Sequence, residues 1–370
     1  MRTHKPMVLA LLLGLLLPLA ALAGVPGGEF AVSSSPESYQ FFPEASMDAR
    51  GEVLVVWKGR SSVHGRRFDL NGQPRGNDFQ VGSGTGQYLG NVSASLDSRG
   101  FSVVWGNEDA RNSRPSLARR FDDQGRGVAG PTQLSPTEPA VASNERGNSV
   151  VVGSVGGIRG QRFDAAGLRV GRAFSVTGNP VTTTIFSIRV AMDATGSFVV
   201  VWSDGSGIYG RRFNAVAKPL GSSFKISRSS SGAVLAGNDQ GDFVVAWATH
   251  QGVFARLYSP SGAQGGTLRR PIFVSNGRPA FGTAVAMDED GRFLVVWSCC
   301  QDSASPSIRG RFFEASGAAR GAELQVSTGP GPDQAPAAAA GPSGDFLVVW
   351  QRGPTNVDAG DIIGRWLTLP

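Results

Sequence analysis

The chain alternates short apolar runs with turn-forming residues, and residues 190–213 (VAMDATGSFVVVWSDGSGIYGRRF) show the full pattern. A small apolar run is followed by an Asp-Ala-Thr-Gly turn, a β-branched run ending in Trp202, and a third run ending in Phe213. Short runs of this kind between turn residues predict β-strands. No segment sustains a 3.6-residue period, and the 51 glycines and 22 prolines disfavour helices. We therefore predict an all-β protein.

Stretches of this kind occur seven times, and six of them carry a tryptophan at the end of the second run. The tryptophans are Trp57, Trp105, Trp202, Trp247, Trp297 and Trp350, and Gly153 stands at the matching place in the third unit. Their mean spacing is about 49 residues, within the range of propeller blades. A full unit contains four extended runs, so the sequence predicts a single seven-bladed β-propeller of four-stranded blades.

The two ends of the chain predict how the ring of blades closes. The seventh unit ends after its third run (IIGRWLTLP), whereas GEFAV at 28–32 resembles a fourth strand without a blade. Pairing these two segments would complete the last blade and remove two exposed edge strands. The predicted blades cover residues 44–81, 92–134, 139–176, 188–226, 233–274, 283–326, and 28–32 combined with 337–370.

The residue types of the runs predict their places in a blade. The first run is small (Ala45, Ala94, Ala142, Ala191, Ala286 and Ala339), as the crowded strand nearest a propeller axis requires. We expect the tryptophans and the aromatic residues that end the third runs to pack between blades. Each large ring would then contribute on the order of 1.5–3 kcal/mol by its burial.

An acidic or amide residue, with a glycine three residues later, separates the first two runs of most units. The acids are Asp48, Asp97, Asp193 and Asp288, with Asn and finally Gly341 at the equivalent places. A calcium site would need more oxygen ligands at fixed steps and a distal bidentate Glu. Asp or Asn opening a turn that glycine closes at positive φ explains the exchange better. We interpret these segments as structural turns.

Arginine recurs at one position of the third run, with Gln161 replacing it in the third unit. The arginines are Arg66, Arg119, Arg211, Arg256, Arg311 and Arg365. They could form a ring of guanidinium groups for an anionic ligand. Alternatively, each could pair with an acid of a neighbouring blade or stack on its tryptophan. Repetition in nearly every blade favours the structural interpretation.

The other two connections of each blade vary greatly, and both open on the face opposite the conserved turns. Variable loops on a rigid scaffold are where binding residues tend to lie. The candidate ligand-binding residues on this face are Tyr88, Phe186, Phe281, Arg114, Asp204 and Asp302. The alternative is that these loops are merely solvated.

The first 23 residues are typical of a secretory signal peptide. Arg2 and Lys5 precede an apolar core, and Ala21-Leu22-Ala23 supplies a cleavage pattern before Gly24. The apolar core breaks at Pro18 and is too short for a transmembrane anchor. Removing this segment lowers the formal charge from +6 to +4. The remaining arginines are spread over equivalent repeat positions rather than gathered in a patch, so we do not expect nucleic-acid binding.

The only two cysteines, Cys299 and Cys300, are adjacent. Such a pair cannot staple a small domain as a disulfide framework does. The cysteines could be free, bonded to another chain, or closed on one another with strain. They are weak candidates for a redox site.

Catalysis finds little support among the residues. After residue 23 the chain has two histidines, His64 and His250, in different units, which excludes a three-histidine metal site and offers no recognisable Ser-His-Asp arrangement. We expect no metal and no cofactor. Two carboxylates at the pore mouth could still hydrolyse a glycosidic bond.

With the unit written as VAMDxxGxFVVVW…GxRRFDxxGxxxGxxFxV, residues 28–367 resemble repeats of secreted and surface proteins of bacteria that are taken to be β-propellers. The resemblance implies extracytoplasmic display and is compatible with binding, but it carries no catalytic residue. We therefore expect an exported, non-enzymatic scaffold that binds a protein or glycan at the cell envelope through its variable face. The alternatives are a glycan-cleaving enzyme and a purely structural envelope protein. The oligomeric state stays open.

Overall fold

The computed structural model describes residues 27–369, except 35–38, 85–87, 109–114, 129, 135–136, 178–183, 230, 261–270, 276–279, 300–305, 343 and 354–359. The described residues form 28 strands and no helix, so they contain no helix that could cross a membrane. The strands pair into seven four-stranded antiparallel sheets. The prediction of a seven-bladed propeller is confirmed.

The blades follow one another in chain order. Blade 1 comprises β2 (Phe41–Met47), β3 (Val53–Lys58), β4 (Ser62–Phe68) and β5 (Phe79–Ser83); blade 2 comprises β6 (Tyr88–Asp97), β7 (Gly100–Glu108), β8 (Ser116–Asp122) and β9 (Thr132–Leu134); blade 3 comprises β10 (Thr137–Ser143), β11 (Ser149–Ser154), β12 (Ile158–Phe163) and β13 (Arg169–Ser175). Blade 4 comprises β14 (Ile185–Met192), β15 (Phe198–Asp204), β16 (Gly207–Phe213) and β17 (Phe224–Ser227); blade 5 comprises β18 (Ala233–Gly237), β19 (Phe243–Thr249), β20 (Gly252–Tyr258) and β21 (Ile272–Phe273). Blade 6 comprises β22 (Ala280–Met287), β23 (Phe293–Cys299), β24 (Ser307–Phe313) and β25 (Ala319–Gln325), and blade 7 comprises β26 (Asp333–Ala340), β27 (Asp345–Arg352), β28 (Asp361–Thr368) and β1 (Glu29–Ala31).

The N-terminal strand closes the ring. Strand β1 pairs antiparallel with β28, with Glu29 opposite Arg365 and Ala31 opposite Ile363. The first strands of the blades contact one another in an unbroken cycle, from β2 through β6, β10, β14, β18 and β22 to β26 and back to β2. The sequence prediction of this closure is confirmed, and the first strands surround a central channel.

The second strand of each blade is buried on both faces, because neighbouring blades cover it. Every residue of Phe198–Asp204 is buried, which explains the run of β-branched residues where a half-exposed strand would alternate. The first strands are innermost, as their alanines predicted. Glu44 and Arg189 are large charged exceptions within them.

The conserved Asp-x-x-Gly segments are tight turns. One oxygen of Asp193 accepts from the backbone N–H of Thr195 and of Ser197, each at 2.9 Å. Asp48 bonds the N–H groups of Arg50 and Glu52 in the same way. Gly196 closes its turn at φ 88°, a region that L side chains rarely adopt. The structure therefore supports the interpretation of these acids as turn residues.

Seven apolar clusters hold the blades together, one at each seam between neighbours. Six of them contain the tryptophan of a second strand; the cluster between blades 3 and 4, for example, contains Trp202. Trp202 also stacks on Tyr209 of its own blade, with centroids 5.9 Å apart. The seam between blades 2 and 3 lacks a tryptophan and has the smallest of the described clusters.

The repeated arginines connect each blade to the one before it. Each guanidinium donates to a backbone carbonyl at the end of the preceding blade's fourth strand. The pairs are Arg66–Val32, Arg119–Val81, Arg211–Val176, Arg256–Ile226, Arg311–Val274 and Arg365–Val326, with N···O distances of 2.7–3.5 Å. Their role is structural, but the partner across the seam is a carbonyl rather than the acid or tryptophan that the sequence suggested. Every residue has a backbone carbonyl, so the arginines find a partner without an acidic residue at a fixed position of the neighbouring blade.

A charged clasp fixes the N-terminal strand beyond its ladder. The Glu29 carboxylate lies 2.9 Å from Arg352 Nη1 and accepts from the backbone N–H groups of Thr328 and Gly329. Burial alone would raise its pKa, but the bonds from Arg352 and the two N–H groups lower the pKa from 4.5 to about 2. The carboxylate is therefore stabilised in its ionised form by folding.

We predict that Glu29→Gln destabilises the protein at neutral pH. Because the pKa is lower in the folded state, the ionised clasp contributes fully above pH 4.5, and the contribution is lost as the pH falls towards 2. Thermal unfolding should show a loss of about 1–3 kcal/mol at pH 7 that shrinks on acidification. The control is Glu314→Gln, which removes a more exposed ion pair with Arg320 and should cost about 0–1 kcal/mol. Equal losses in the two variants would contradict the clasp.

Candidate binding site at the channel mouth

The first strands begin at the face that carries the variable connections, and their beginnings form one mouth of the channel. We call this end the variable mouth and the opposite end, with the Asp-x-x-Gly turns, the turn mouth. Six of the seven first strands carry a β-bulge close to the variable mouth, where two of their residues face one of the second strand. Bulges of this kind redirect side chains and are common beside functional sites.

Four bulge residues have a left-handed backbone. The φ angles are 49° at Phe42, 52° at Glu138, 52° at Gly282 and 49° at Ala335. Glycine adopts this conformation freely, but it costs a non-glycine residue on the order of 1–3 kcal/mol. Phe42 therefore occupies a backbone conformation that phenylalanine disfavours. Residues that break a local preference in this way concentrate at functional sites.

Two phenylalanine rings at the bulges are open to solvent. Phe42 is 50% exposed and Phe186 is 54% exposed, and each is the one exposed residue of its strand. The Lys58 ammonium lies 4.8 Å from the centre of the Phe42 ring, and the Arg60 guanidinium lies 4.5 Å from the centre of Tyr39. The rim therefore presents flat apolar surfaces next to cations.

The channel below this rim is polar. Burial raises the pKa of Glu44 in β2, while the charges of Arg189 and Lys58 lower it, with a net upward shift. Arg189 belongs to β14 of blade 4, so its charge acts on Glu44 across the channel. At the rim, Glu138 accepts a hydrogen bond from the Asn91 side chain and links blades 2 and 3.

The structure places the residues predicted from sequence at different depths. Phe186 is exposed at the variable mouth, and Phe281 is partly buried at the bulge of β22. Tyr88 begins β6 opposite Glu108, but its side chain is outside the description. Asp204 is buried, and one of its oxygens accepts from the N–H and hydroxyl of Ser206, both at 2.7 Å, in the turn before β16.

Three other candidates lie outside the described residues, namely Arg114, Asp302 and Cys300. Cys299 is described and is 2% exposed at the end of β23. It is disulfide-bonded, so of the three states considered for the pair a free thiol does not apply to it.

Sequence reasoning missed Phe42, Glu44, Lys58 and Arg189. One signal could have found the first of them, because Phe42, Gly90, Glu138 and Phe186 stand 48 residues apart at the same place in successive units. These positions lie just before the small apolar run with which the repeat unit begins, so the repeat motif does not include them. Nothing in the sequence pairs Glu44 with Arg189, since only ring closure brings blades 1 and 4 face to face.

The turn mouth is acidic and internally bonded. Glu145 of blade 3 accepts from the backbone N–H of Ala49 (3.0 Å) and of Ser98 (2.8 Å), and thereby joins three blades. Glu289 of blade 6 accepts from the N–H of Asp239 at 3.1 Å. Burial raises the pKa of Glu145, Asp239 and Glu289, and neighbouring carboxylates raise each of these pKa values further.

These acids surround a cavity of about 140 Å³ that has no aromatic ring among its described lining residues. Among the described residues there is also no group of three or more acidic, histidine or cysteine side chains that could hold a metal ion. The carboxylates of Glu145 and Glu289 accept hydrogen bonds from neighbouring turns and so link the blades at this end, which we call the cap of the channel.

No protein-family model matches the chain, and no curated protein matches it either. Solved structures do match. A protein of unknown function from Dyadobacter fermentans is 12% identical with a TM-score of 0.56, covering 94% of this chain and 99% of its own. The Cps50 (Swd1) β-propeller domain of Myceliophteria thermophila is 9% identical with a TM-score of 0.53, covering 90% and 98%. The Penicillium chrysogenum α-L-arabinanase, complexed with arabinobiose, is 10% identical with a TM-score of 0.54, covering 92% and 98%.

These likenesses show the fold alone, because propellers with unrelated activities share it. The chain is a seven-bladed β-propeller.

The raised pKa values at the turn mouth predict a variant that is more stable than the natural protein. The folded state disfavours the ionised form of Glu289. The side chain therefore does not reduce folding stability while it is protonated, below its ordinary pKa, and reduces it as the pH rises and the carboxyl ionises. Glu289→Gln keeps an oxygen for the Asp239 N–H and removes the repulsion. We expect its Tm at pH 7 to exceed the wild-type Tm by about 1–2 °C and the difference to vanish near pH 4.

Glu29→Gln is the matched control, because its pH dependence has the opposite sign. A Glu289→Gln variant less stable than wild type at pH 7 would show that the carboxylate stabilises the cap, contrary to this prediction.

Proposed function

We propose that the protein is an exported, non-enzymatic recognition scaffold that binds a protein segment or a glycan chain at the variable mouth. The observation that carries the proposal is the pair of half-exposed phenylalanines, Phe42 and Phe186, held at the rim by bulges. Exposed rings are expensive to leave in water and are characteristic of recognition surfaces. Their support on a closed, rigid ring limits the entropy that a ligand would have to overcome.

The polar groups nearby give the proposed site direction. Lys58 lies over one face of Phe42, and Glu44 of β2 and Arg189 of β14 place a carboxylate and a guanidinium on strands that surround the channel. A ligand with an apolar face and hydrogen-bonding groups along its edge could use both features. Sugar rings and peptide segments with aromatic or aliphatic side chains have this character.

The hydrolase alternative has weaker support. It requires two carboxylates about 5–10 Å apart beside aromatic rings. The described acids with raised pKa values that come together lie at the turn mouth, where they bond to neighbouring turns and where the described lining has no ring. The arabinanase with a similar fold gives no ground for transferring its activity at 10% identity.

Export is part of the proposal and is supported by residues 1–23, which lie outside the described structure. Their charged start, apolar core and Ala-Leu-Ala pattern are typical of a signal peptide. The site would then face the periplasm or the cell exterior.

The test compares ligand binding by three forms of residues 24–370 on a glycan array and in pull-downs from envelope extract. The forms are the wild type, Phe42→Ala/Phe186→Ala, and Phe273→Ala. Phe273 is 48% exposed on β21, the outermost strand of blade 5, so it matches the rim rings in exposure but not in place. We expect the rim variant to lose at least tenfold in affinity, which corresponds to about 1.4 kcal/mol, while the control binds as wild type does.

Equal binding by the wild type and the rim variant would contradict the proposal. Absence of any ligand would favour a structural envelope protein, and release of shortened glycans would favour the hydrolase.

A further inference from the structure

The seam between blades 2 and 3 differs from the other six. Its third-blade side has Gly153 where the other units have tryptophan and Gln161 where they have arginine. Both substitutions fall in the same unit, so the seam loses together its tryptophan and the arginine–carbonyl hydrogen bond that the other seams share.

The neighbouring seams show what is missing. Between blades 1 and 2, Trp105 is fully buried, and its ring is so close to Gly82 that a Cβ there would lie 2.5 Å from it. Arg119 in the same seam donates to the Val81 carbonyl at 2.9 Å. Between blades 3 and 4, Trp202 is 4% exposed and Arg211 reaches the Val176 carbonyl at 2.7 Å.

Gln161 does not replace the arginine. Its Nε2 donates to carbonyls of its own blade, those of Arg162 (2.9 Å), Val170 (3.3 Å) and Gly171 (3.3 Å). The amide thus turns away from blade 2. The apolar cluster of the seam shrinks to Val104, Leu134, Val141, Val151 and Phe163, with Ala118 packed against it.

A cavity of about 390 Å³ opens in this seam. It is larger than the channel cavity at the turn mouth and falls within the range of small-molecule sites, about 300–1,000 Å³. Leu134 and Val151 are 4% and 3% exposed and form its floor, while Val155 is 38% exposed. Gly153 is opposite the lining residue Arg159 in the β11–β12 ladder, so the cavity is next to the place of the missing tryptophan.

Two arginines also line the cavity. Arg159 and Arg169 are both exposed, and within the described part of the chain neither forms an ion pair. Arg169 donates to the Gln133 carbonyl of blade 2 at 2.8 Å, which holds it across the opening. The site therefore combines an apolar floor with two positive charges that lack an acidic partner there.

We propose that this cavity, which we call the seam cavity, binds a small organic anion with a flat aromatic body. The ring occupies the space next to the position that an indole fills in the other seams. The anionic group lies between Arg159 and Arg169, because an apolar floor favours the ring and the guanidinium groups favour a carboxylate or sulfonate. The third unit is then a specialised blade, whose two lost side chains made room for a ligand.

The test uses 8-anilinonaphthalene-1-sulfonate, an aromatic anion whose fluorescence rises in apolar sites, and its uncharged relative N-phenyl-1-naphthylamine. The full mature chain should bind one sulfonate, and the uncharged probe at least tenfold more weakly. Gly153→Trp, which restores the tryptophan of the repeat pattern without changing the charge, should lose at least tenfold in sulfonate affinity. Arg159→Ala/Arg169→Ala should lose a similar factor for the sulfonate but not for the uncharged probe.

Two controls separate the seam cavity from other surfaces. Arg211→Gln removes the equivalent hydrogen bond from an intact seam and should leave sulfonate binding unchanged. Phe42→Ala/Phe186→Ala should also bind the sulfonate normally, so failure at the variable mouth and failure at the seam cavity remain distinguishable. Should the filled variant not fold, Ala173→Phe narrows the cavity from an exposed position on β13.

Undiminished sulfonate binding in a folded filled variant, or in both the arginine variant and Ala173→Phe, would overturn the proposal. So would a wild-type protein that binds neither probe.

Discussion

Ring closure by the N-terminal strand is the constraint on which the rest of the structure depends. Each blade buries its faces only against two neighbours, so an open array would leave the apolar faces of its first and last blades in water. The β1–β28 ladder and the Glu29–Arg352 clasp join the ends of the chain across more than 300 residues. Closure also creates the channel, because only then do first strands from blades such as 1 and 4 face one another.

Two kinds of side chain hold neighbouring blades together at the seams. Tryptophan supplies buried area, and arginine supplies a hydrogen bond to a carbonyl that every neighbouring blade offers at the same place. Because the acceptor belongs to the backbone, the side chains across the seam are free to vary. A repeat built in this way tolerates one altered seam, since six others still hold the ring. The third blade shows such an alteration, and its seam with blade 2 contains a cavity of about 390 Å³.

The two ends of the channel differ in how their polar groups are used. At the turn mouth, carboxylates bond to the backbone of neighbouring turns and repel one another, which raises their pKa values. At the variable mouth, bulges hold rings in water instead of burying them. Strain and exposure both oppose folding, whereas the bonds of the turn mouth join neighbouring blades, and the ligand site that we propose therefore lies at the variable mouth.

The sequence by itself determined the strands, the blade count, the turns and the closing strand, because these follow from local patterns repeated seven times. Repetition also identified Gly153 and Gln161 as departures from the pattern. Repetition could not locate the bulges, since the register of a strand is set by its pairing with the next strand. It also could not show that Asp204, a predicted ligand-binding residue, accepts hydrogen bonds within a turn. Only the tertiary structure brought the charge of Arg189 in blade 4 to act on Glu44 in blade 1 and left a cavity between blades 2 and 3, because both depend on distances between blades that no single repeat contains.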